Sequence, residues 1–219
     1  MRLDEQLPAG EGPVATGCTG EVPFDALRHA LRNVIDPGGL DKALSAGARA
    51  PSFVLRDTSG KDVALEQLLR KGHVVITFYR GIWCPFCNAD LQELNLFRHE
   101  ILAREAQVVA VSQQTVEYSR KTQRLNKLRF PVLSDVSGLV TQAYGVQWTI
   151  PDNLRSVVLS AGGNIPCFSG DTSWSLPMSA RYVVSRDGII SYAEVSADPE
   201  KRSRASGVLA ILDGLNVAG

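Results

Sequence analysis

A run of six residues without a charge, Val74-Val-Ile-Thr-Phe-Tyr79, leads through a short turn into Cys84-Pro-Phe-Cys87 and then into apolar residues at Leu91, Leu94, Phe97, Ile101 and Leu102. No other feature of the chain limits its fold so strongly. The run is short, rich in β-branched and aromatic side chains and free of turn residues, so it reads as a buried strand. The apolar positions that follow recur at three- and four-residue intervals, which marks one face of a helix. A strand that turns directly into a helix belongs to an α/β layer fold, and here it sets two cysteines at the helix N-terminus.

Sulfur at that place is reactive. The first N–H groups of a helix have no acceptor within it and the positive end of its dipole favours an anion, so a lowered thiol pKa is expected. Positions i and i+3 lie about 5 to 6 Å apart across one turn, a span that a disulfide tolerates. Pro85 fixes φ where its missing N–H is least costly. Cys84 and Cys87 therefore read as a redox pair, against two alternatives: half of a zinc site, or two inert buried cysteines. A zinc site wants a second matched pair of ligands, whereas Cys18 and Cys167 stand alone and His29, His73 and His99 are scattered. The reading assigns neither metal nor cofactor.

From Ala48 onward, short β-branched or aromatic runs alternate with helical ones. Strands are expected at residues 52–55, 74–79, 108–112, 131–133, 181–185 and 189–195, the last two joined by the hairpin signal Asp187-Gly188. Helices are expected along Leu91 to Leu102, over 116–128, and through Val208, Ile211, Leu212 and Leu215. The stretch from Gln147 to Leu176 fits no regular pattern and is expected to add a helix and a loop before the hairpin. Ahead of all this, Phe24, Leu27, Leu31, Val34 and Ile35 share one helical face that Pro37-Gly38-Gly39 ends, a helix packed on the core or at a dimer contact. The expected division is an extension over 1–45 and one domain over 46–219.

Lys plus Arg and Asp plus Glu stand at 23 each, so no net positive field exists to hold phosphates or an anionic bilayer, and neither nucleic acid nor membrane is an expected partner. No stretch approaches the ~18 apolar residues of a membrane span, and Met1-Arg-Leu-Asp-Glu-Gln6 lacks the apolar core of a signal peptide. The expected compartment is the cytoplasm, where cysteines serve catalysis or metal binding before structural disulfides.

Five tracts, in this order, resemble the alkyl hydroperoxide reductase and thiol-specific antioxidant family, that is, peroxiredoxin-like proteins on the thioredoxin fold. They are Gly47-Ala-Arg-Ala-Pro-Ser-Phe53, Phe78-Tyr-Arg-Gly-Ile-Trp-Cys-Pro-Phe-Cys87, Phe130-Pro-Val-Leu-Ser-Asp135, Ala143-Tyr-Gly-Val146 and Tyr182-Val-Val-Ser-Arg-Asp-Gly188, and the resemblance covers roughly residues 46 to 200. It implies a thioredoxin-like α/β fold, a central mixed sheet flanked by helices, with the N-terminal extension and the insert added to it. It implies also a peroxidase that reduces hydrogen peroxide or organic hydroperoxides, is restored by thioredoxin or a similar dithiol donor, and forms a homodimer.

The family's Pro-X-X-X-Thr-X-X-Cys loop, laid on this chain, puts Arg80 at the Pro, Cys84 at the Thr and Cys87 at the peroxidatic cysteine, so two of three positions depart from the pattern. In this register Cys87 attacks and Cys84 resolves. The thioredoxin register reverses the roles: Cys84, the more exposed sulfur, attacks a disulfide and Cys87 resolves. A third reading is a non-catalytic protein that keeps the fold. Where the family carries its active-site Arg, or thioredoxin-like reductases their cis-Pro, this chain has Ser179. Arg181 points to the same face about 6 to 7 Å along an extended strand and is the candidate cation for a thiolate, against a plain surface arginine. Arg80 either lowers a thiol pKa or faces solvent, Trp83 either shields the sulfurs or simply packs, and Cys167 is either a distal resolving cysteine or a small buried apolar residue.

Overall fold

The structure is a computed structural model and describes residues 41–160, 162–196 and 205–217. The helix expected around Phe24 to Ile35, and Cys18, lie outside the described residues. At the centre stands β3 (His73–Phe78), every residue of which is buried. It pairs in parallel with β4 (Ala106–Ser112), which pairs in parallel with β5 (Val132–Ser134). On its other side β3 pairs antiparallel with β8 (Ser179–Val184), and β8 with β9 (Ile190–Ser196). Two short antiparallel strands, β1 (Val54–Asp57) and β2 (Asp62–Ala64), complete the order β2-β1-β5-β4-β3-β8-β9. The sheet is mixed, as expected, and the Asp187-Gly188 hairpin pairs antiparallel as expected.

Alternation along β3 divides the core into two layers. Val74, Ile76 and Phe78 face a cluster with Leu65, Leu68, Tyr144 and Tyr182, beneath α1 (Leu65–Leu69) and α5 (Leu139–Ala143). Val75 and Tyr79 face the other cluster, with Leu91 and Leu94 of α2 (Pro85–Leu96), Ile101 of α3 (Arg98–Ala103) and Val208 and Leu212 of α8 (Ala205–Val217). The helix α4 (Val116–Leu125) connects β4 to β5.

The stretch expected as one helix along Leu91 to Leu102 is two. The turn is at Phe97 (φ −83°, ψ 2°), just beyond Asn95, whose amide accepts from Arg129 N–H at 2.8 Å and donates to Lys127 O at 3.3 Å. The insert is also more regular than expected. Strands β6 (Gln147–Thr149) and β7 (Ser175–Pro177) pair with each other, and between them lie α6 (Asp152–Ser160) and α7 (Ile165–Ser169), the latter capped by Asn164, whose side chain accepts from Cys167 N–H. Among the described residues no helix is long and apolar enough to cross a membrane.

Candidate active site

Helix α2 begins where the sequence places it, for a local reason. Cys84 takes an extended conformation (φ −94°, ψ 104°), its N–H donates to Gly81 O at 3.1 Å, and Pro85 opens the helix without wasting a donor. The N-cap is the cysteine itself: Cys84 Sγ accepts from Cys87 N–H at 3.3 Å. No disulfide joins the two sulfurs, and each residue is 2% exposed. The expectation of a more exposed Cys84 therefore does not hold in this conformation.

The insert packs into the same core cluster as the two sulfurs. Ile165 and Phe168 of α7 and Leu176 of β7 join Trp83, Cys84 and Cys87 in one packed cluster. Trp83 lies folded between two glycines: a Cβ at Gly81 would sit 2.7 Å from its Nε1, and one at Gly163 would sit 3.3 Å from its Cε3. Gly81 (φ 150°) also has a backbone conformation that L side chains rarely adopt. So Trp83 packs in the cluster that holds the sulfurs, as one of its two expected roles requires.

Burial reverses the expected electrostatics of Cys84. Loss of water pushes its thiol well up from the ordinary value, and the neighbouring Cys87 sulfur, as hydrogen-bond partner and as like charge, pushes the same way. The Arg80 charge and the Cys87 N–H act downward, and they lose. At a solvated helix terminus the donor and the dipole would decide the direction, but here the desolvation of the buried sulfur is larger. Arg80 is itself buried, so it does not face solvent. Its charge reaches Cys84 as one of the two expected roles requires.

Arg181 is no surface residue. It is 0% exposed, lies opposite Thr77 on β3 and Glu194 on β9, and forms an ion pair with Asp90 of α2, which is 11% exposed by its side chain. Asp90 is three residues beyond Cys87, hence on the same helix face about one turn away. The pair thus brings a cation and its carboxylate beneath the helix that carries the sulfurs. Ser179 is buried as well, opposite Ser196. Cys167 is half-buried, with Tyr118 Oη 3.3 Å from its sulfur.

Sequence reasoning missed the polar groups that hold the loop. Gln114, just past the carboxyl end of β4, accepts from Ile82 N–H at 2.8 Å and donates to Tyr79 Oη at 3.1 Å. Asn88 donates to Ile82 O at 2.7 Å and accepts from Asn126 at 3.0 Å. The available signal was Gln113-Gln114, two polar residues where a buried parallel strand ends, the edge at which α/β sheets place ligands.

Three known proteins bear on this arrangement. The chain is 33% identical over 126 residues to the thiol-disulfide oxidoreductase ResA of Bacillus subtilis, a match covering 55% of this chain and 66% of that protein. The chain thus spans just under two thirds of that relative's length. It is 26% identical over 163 residues to alkyl hydroperoxide reductase E of Mycobacterium bovis, covering 74% of this chain and 92% of the relative. The fold matches that of peroxidoxin BcpB from Mycobacterium tuberculosis with a TM-score of 0.63 at 22% identity, over 78% of this chain and 98% of that one. The model of the AhpC/TSA family matches residues 46–193, and with strand, loop, dithiol and helix all within that span, this chain belongs to the AhpC/TSA family.

Proposed function

We propose that this oxidoreductase is a thiol-dependent peroxide reductase in which Cys87 attacks and Cys84 resolves. The observation that carries the reading is the burial of both sulfurs at 2% exposure. A protein disulfide must touch a sulfur to exchange with it, whereas a hydroperoxide is small enough to reach a buried one. The loop register supports Cys87 as the attacking sulfur, and the upward push that burial and the neighbouring Cys87 exert on Cys84 agrees with a resolving role for Cys84.

The steps balance as follows. The Cys87 thiolate attacks one oxygen of the peroxide; an S–O bond forms, the O–O bond breaks, and Cys87 becomes a sulfenic acid. The departing oxygen takes the Cys84 proton and leaves as water or alcohol. The Cys84 thiolate so produced displaces hydroxide from the sulfenic acid, which leaves as water with a solvent proton as the disulfide closes. A dithiol donor of thioredoxin type, itself oxidised, returns the two electrons once the oxidised loop has opened to bring a sulfur of the disulfide to the surface. Arg80, and Arg181 through Asp90, set the field in which the thiolate forms.

A second reading, thiol-disulfide exchange with Cys84 attacking, is favoured by the Cys87 N–H on Cys84 Sγ and by the ResA relative. One experiment separates them: a dimedone-type sulfenic-acid probe on Cys84→Ser and Cys87→Ser after one equivalent of hydrogen peroxide, read by mass spectrometry. The proposed roles predict label on Cys87 in the first protein and little peroxide consumption by the second. Label on Cys84 in the second and none in the first, together with trapped mixed disulfides, transfers the assignment to Cys84.

A further inference from the structure

The segment from Ile82 to Asn88 carries both sulfurs, and its two ends are tied to each other: Asn88 Nδ2 donates to Ile82 O at 2.7 Å, while Asn88 N–H donates to Cys84 O at 3.0 Å. The dithiol thus sits inside a closed ring. Two further side chains hold that ring from outside. Gln114 Oε1 accepts from Ile82 N–H at 2.8 Å, and Asn126 Nδ2 donates to Asn88 Oδ1 at 3.0 Å. Both are anchored in turn. The Gln114 amide nitrogen lies 3.1 to 3.3 Å from Tyr79 Oη, Ser112 Oγ and Thr122 Oγ1, and Asn126 donates also to Thr122 O and accepts from Gln92 Nε2. Gln114 is 2% and Asn126 8% exposed, so water is poorly placed to replace either bond when it breaks.

None of these bonds uses a sulfur, and the two cysteines lie within the ring at a spacing that a disulfide tolerates, so the dithiol can be oxidised with the ring intact. Oxidant and reductant then meet different requirements. Hydrogen peroxide has only to reach a sulfur, whereas a thiol must approach along the S–S bond with its own carbon chain behind it, at residues that are 2% exposed. We propose that Gln114, Asn88 and Asn126 are positioning residues that fix this selectivity: they hold the ring shut against thiols and so set the rate of the reductive half of the cycle, while the oxidative half proceeds with the ring closed. The inference rests on the peroxide-reductase reading. In the reductive half the ring opens and a donor thiolate attacks one sulfur. The S–S bond breaks, and its electron pair goes to the other sulfur, which takes a proton. The second donor thiol then loses its proton and displaces the remaining sulfur from the mixed disulfide, so the donor leaves as a disulfide and the chain as a dithiol. The rate of that half is the exchange rate multiplied by the fraction of molecules that are open, and each clamp bond lowers that fraction.

The test times the two halves separately on the full chain. The dithiol is oxidised with hydrogen peroxide, the disulfide so formed is reduced with excess dithiothreitol, and each half is followed by acid quenching, alkylation and mass spectrometry. Gln114→Leu, or Asn126→Leu where the first does not fold, should speed the reduction about five- to tenfold, the factor that one buried hydrogen bond is worth, with the rate of oxidation changed by less than about twofold. Asp135→Ala removes hydrogen bonds at the start of α5, under the other layer of the core, and should leave both rates as they are. That comparison separates the clamp from a general loss of stability. Unchanged reduction in the clamp variants, acceleration of both halves together, or the same acceleration of reduction in Asp135→Ala overturns the proposal. Faster reduction confined to the clamp variants, in a chain that hydrogen peroxide oxidises no faster than free cysteine, upholds the clamp and removes the peroxide-reductase reading.

Discussion

Replacing Asp90 by asparagine tests whether the buried ion pair beneath α2 does what its position implies. Arg181 is fully buried and Asp90 nearly so, and the pair links β8 to the helix that carries both sulfurs. Removing one partner of such a pair strands a charge away from water and costs about 3–5 kcal/mol. Glu194 lies directly across from Arg181 on β9 and relieves part of that, so a value near the lower end, ~3 kcal/mol, is expected. The total stability of a domain is only about 5–15 kcal/mol, so the loss is readily seen as a shift in the urea midpoint. The double replacement Asp90→Leu with Arg181→Met removes both charges and should return most of the loss. The same change acts on chemistry. A carboxylate about 6 Å from the Cys87 side chain opposes a thiolate there by roughly 3 kcal/mol at an effective dielectric of about 20. In Cys84→Ser, adding Asp90→Asn should therefore move the pH profile of Cys87 alkylation by iodoacetamide toward lower pH. An unchanged alkylation profile, with a stability loss under about 1 kcal/mol, would refute the reasoning.

Three further outcomes follow from the same geometry. Gly81→Ala combines an unfavourable φ with a Cβ 2.7 Å from Trp83 Nε1, so it should cost about 1–3 kcal/mol and displace the indole, seen as a change in tryptophan fluorescence; wild-type fluorescence and stability would contradict the placement of Trp83. Burial pushes up the Cys84 thiol and the phenols of Tyr79, Tyr144 and Tyr182, so the folded chain holds protons that the unfolded chain releases at ordinary values. Their contribution is complete below about pH 8.5 and is lost as pH rises through the thiol and phenol ranges, so urea midpoints should fall from pH 8 to 11, and a flat profile would count against it. Asp135 accepts from Thr141 N–H at 2.7 Å and Val140 N–H at 3.3 Å at the start of α5, so Asp135→Ala should cost about 0.5–2 kcal/mol by thermal melting, while an unchanged melting temperature would exclude the cap.

How much of this was legible depended on whether a feature is carried by periodicity or by tertiary contact. The residues of β3 and α2 announce themselves, because the doubly buried strand is an unbroken run with no Asp, Glu, Lys or Arg and a helix packed on one side repeats at three and four. The short strands β1 and β2 are less marked. Arg56 of β1 and Asp62 of the edge strand β2 are exposed, and β1 begins two residues later than expected, since Ser52 and Phe53 carry the chain in before pairing starts. The insert was opaque for a further reason: α7 has five residues and β6 and β7 three each, too few for any period to show, and they hold their form by lying on Trp83 and Tyr118.

The sulfur chemistry divides along the same line. That Cys84 and Cys87 meet at one helix N-terminus is a local fact, fixed by Pro85 and the three-residue spacing, and spacing alone could supply it. The sign of the Cys84 shift is not local. It comes first from burial, in a cluster that Ile165, Phe168 and Leu176, 80 and more residues away in sequence, share with the sulfurs. Arg181 shows the same division, because alternation on a strand gives the face it points to, while its partner Asp90 lies 91 residues earlier and only the closure of α2 over β8 joins them. A dithiol of this spacing accordingly takes its reactivity from what packs around it. In this chain that includes the segment between β6 and β7, and substitutions that loosen α7, such as Phe168→Ala, should raise the alkylation rate of both cysteines without touching either sulfur.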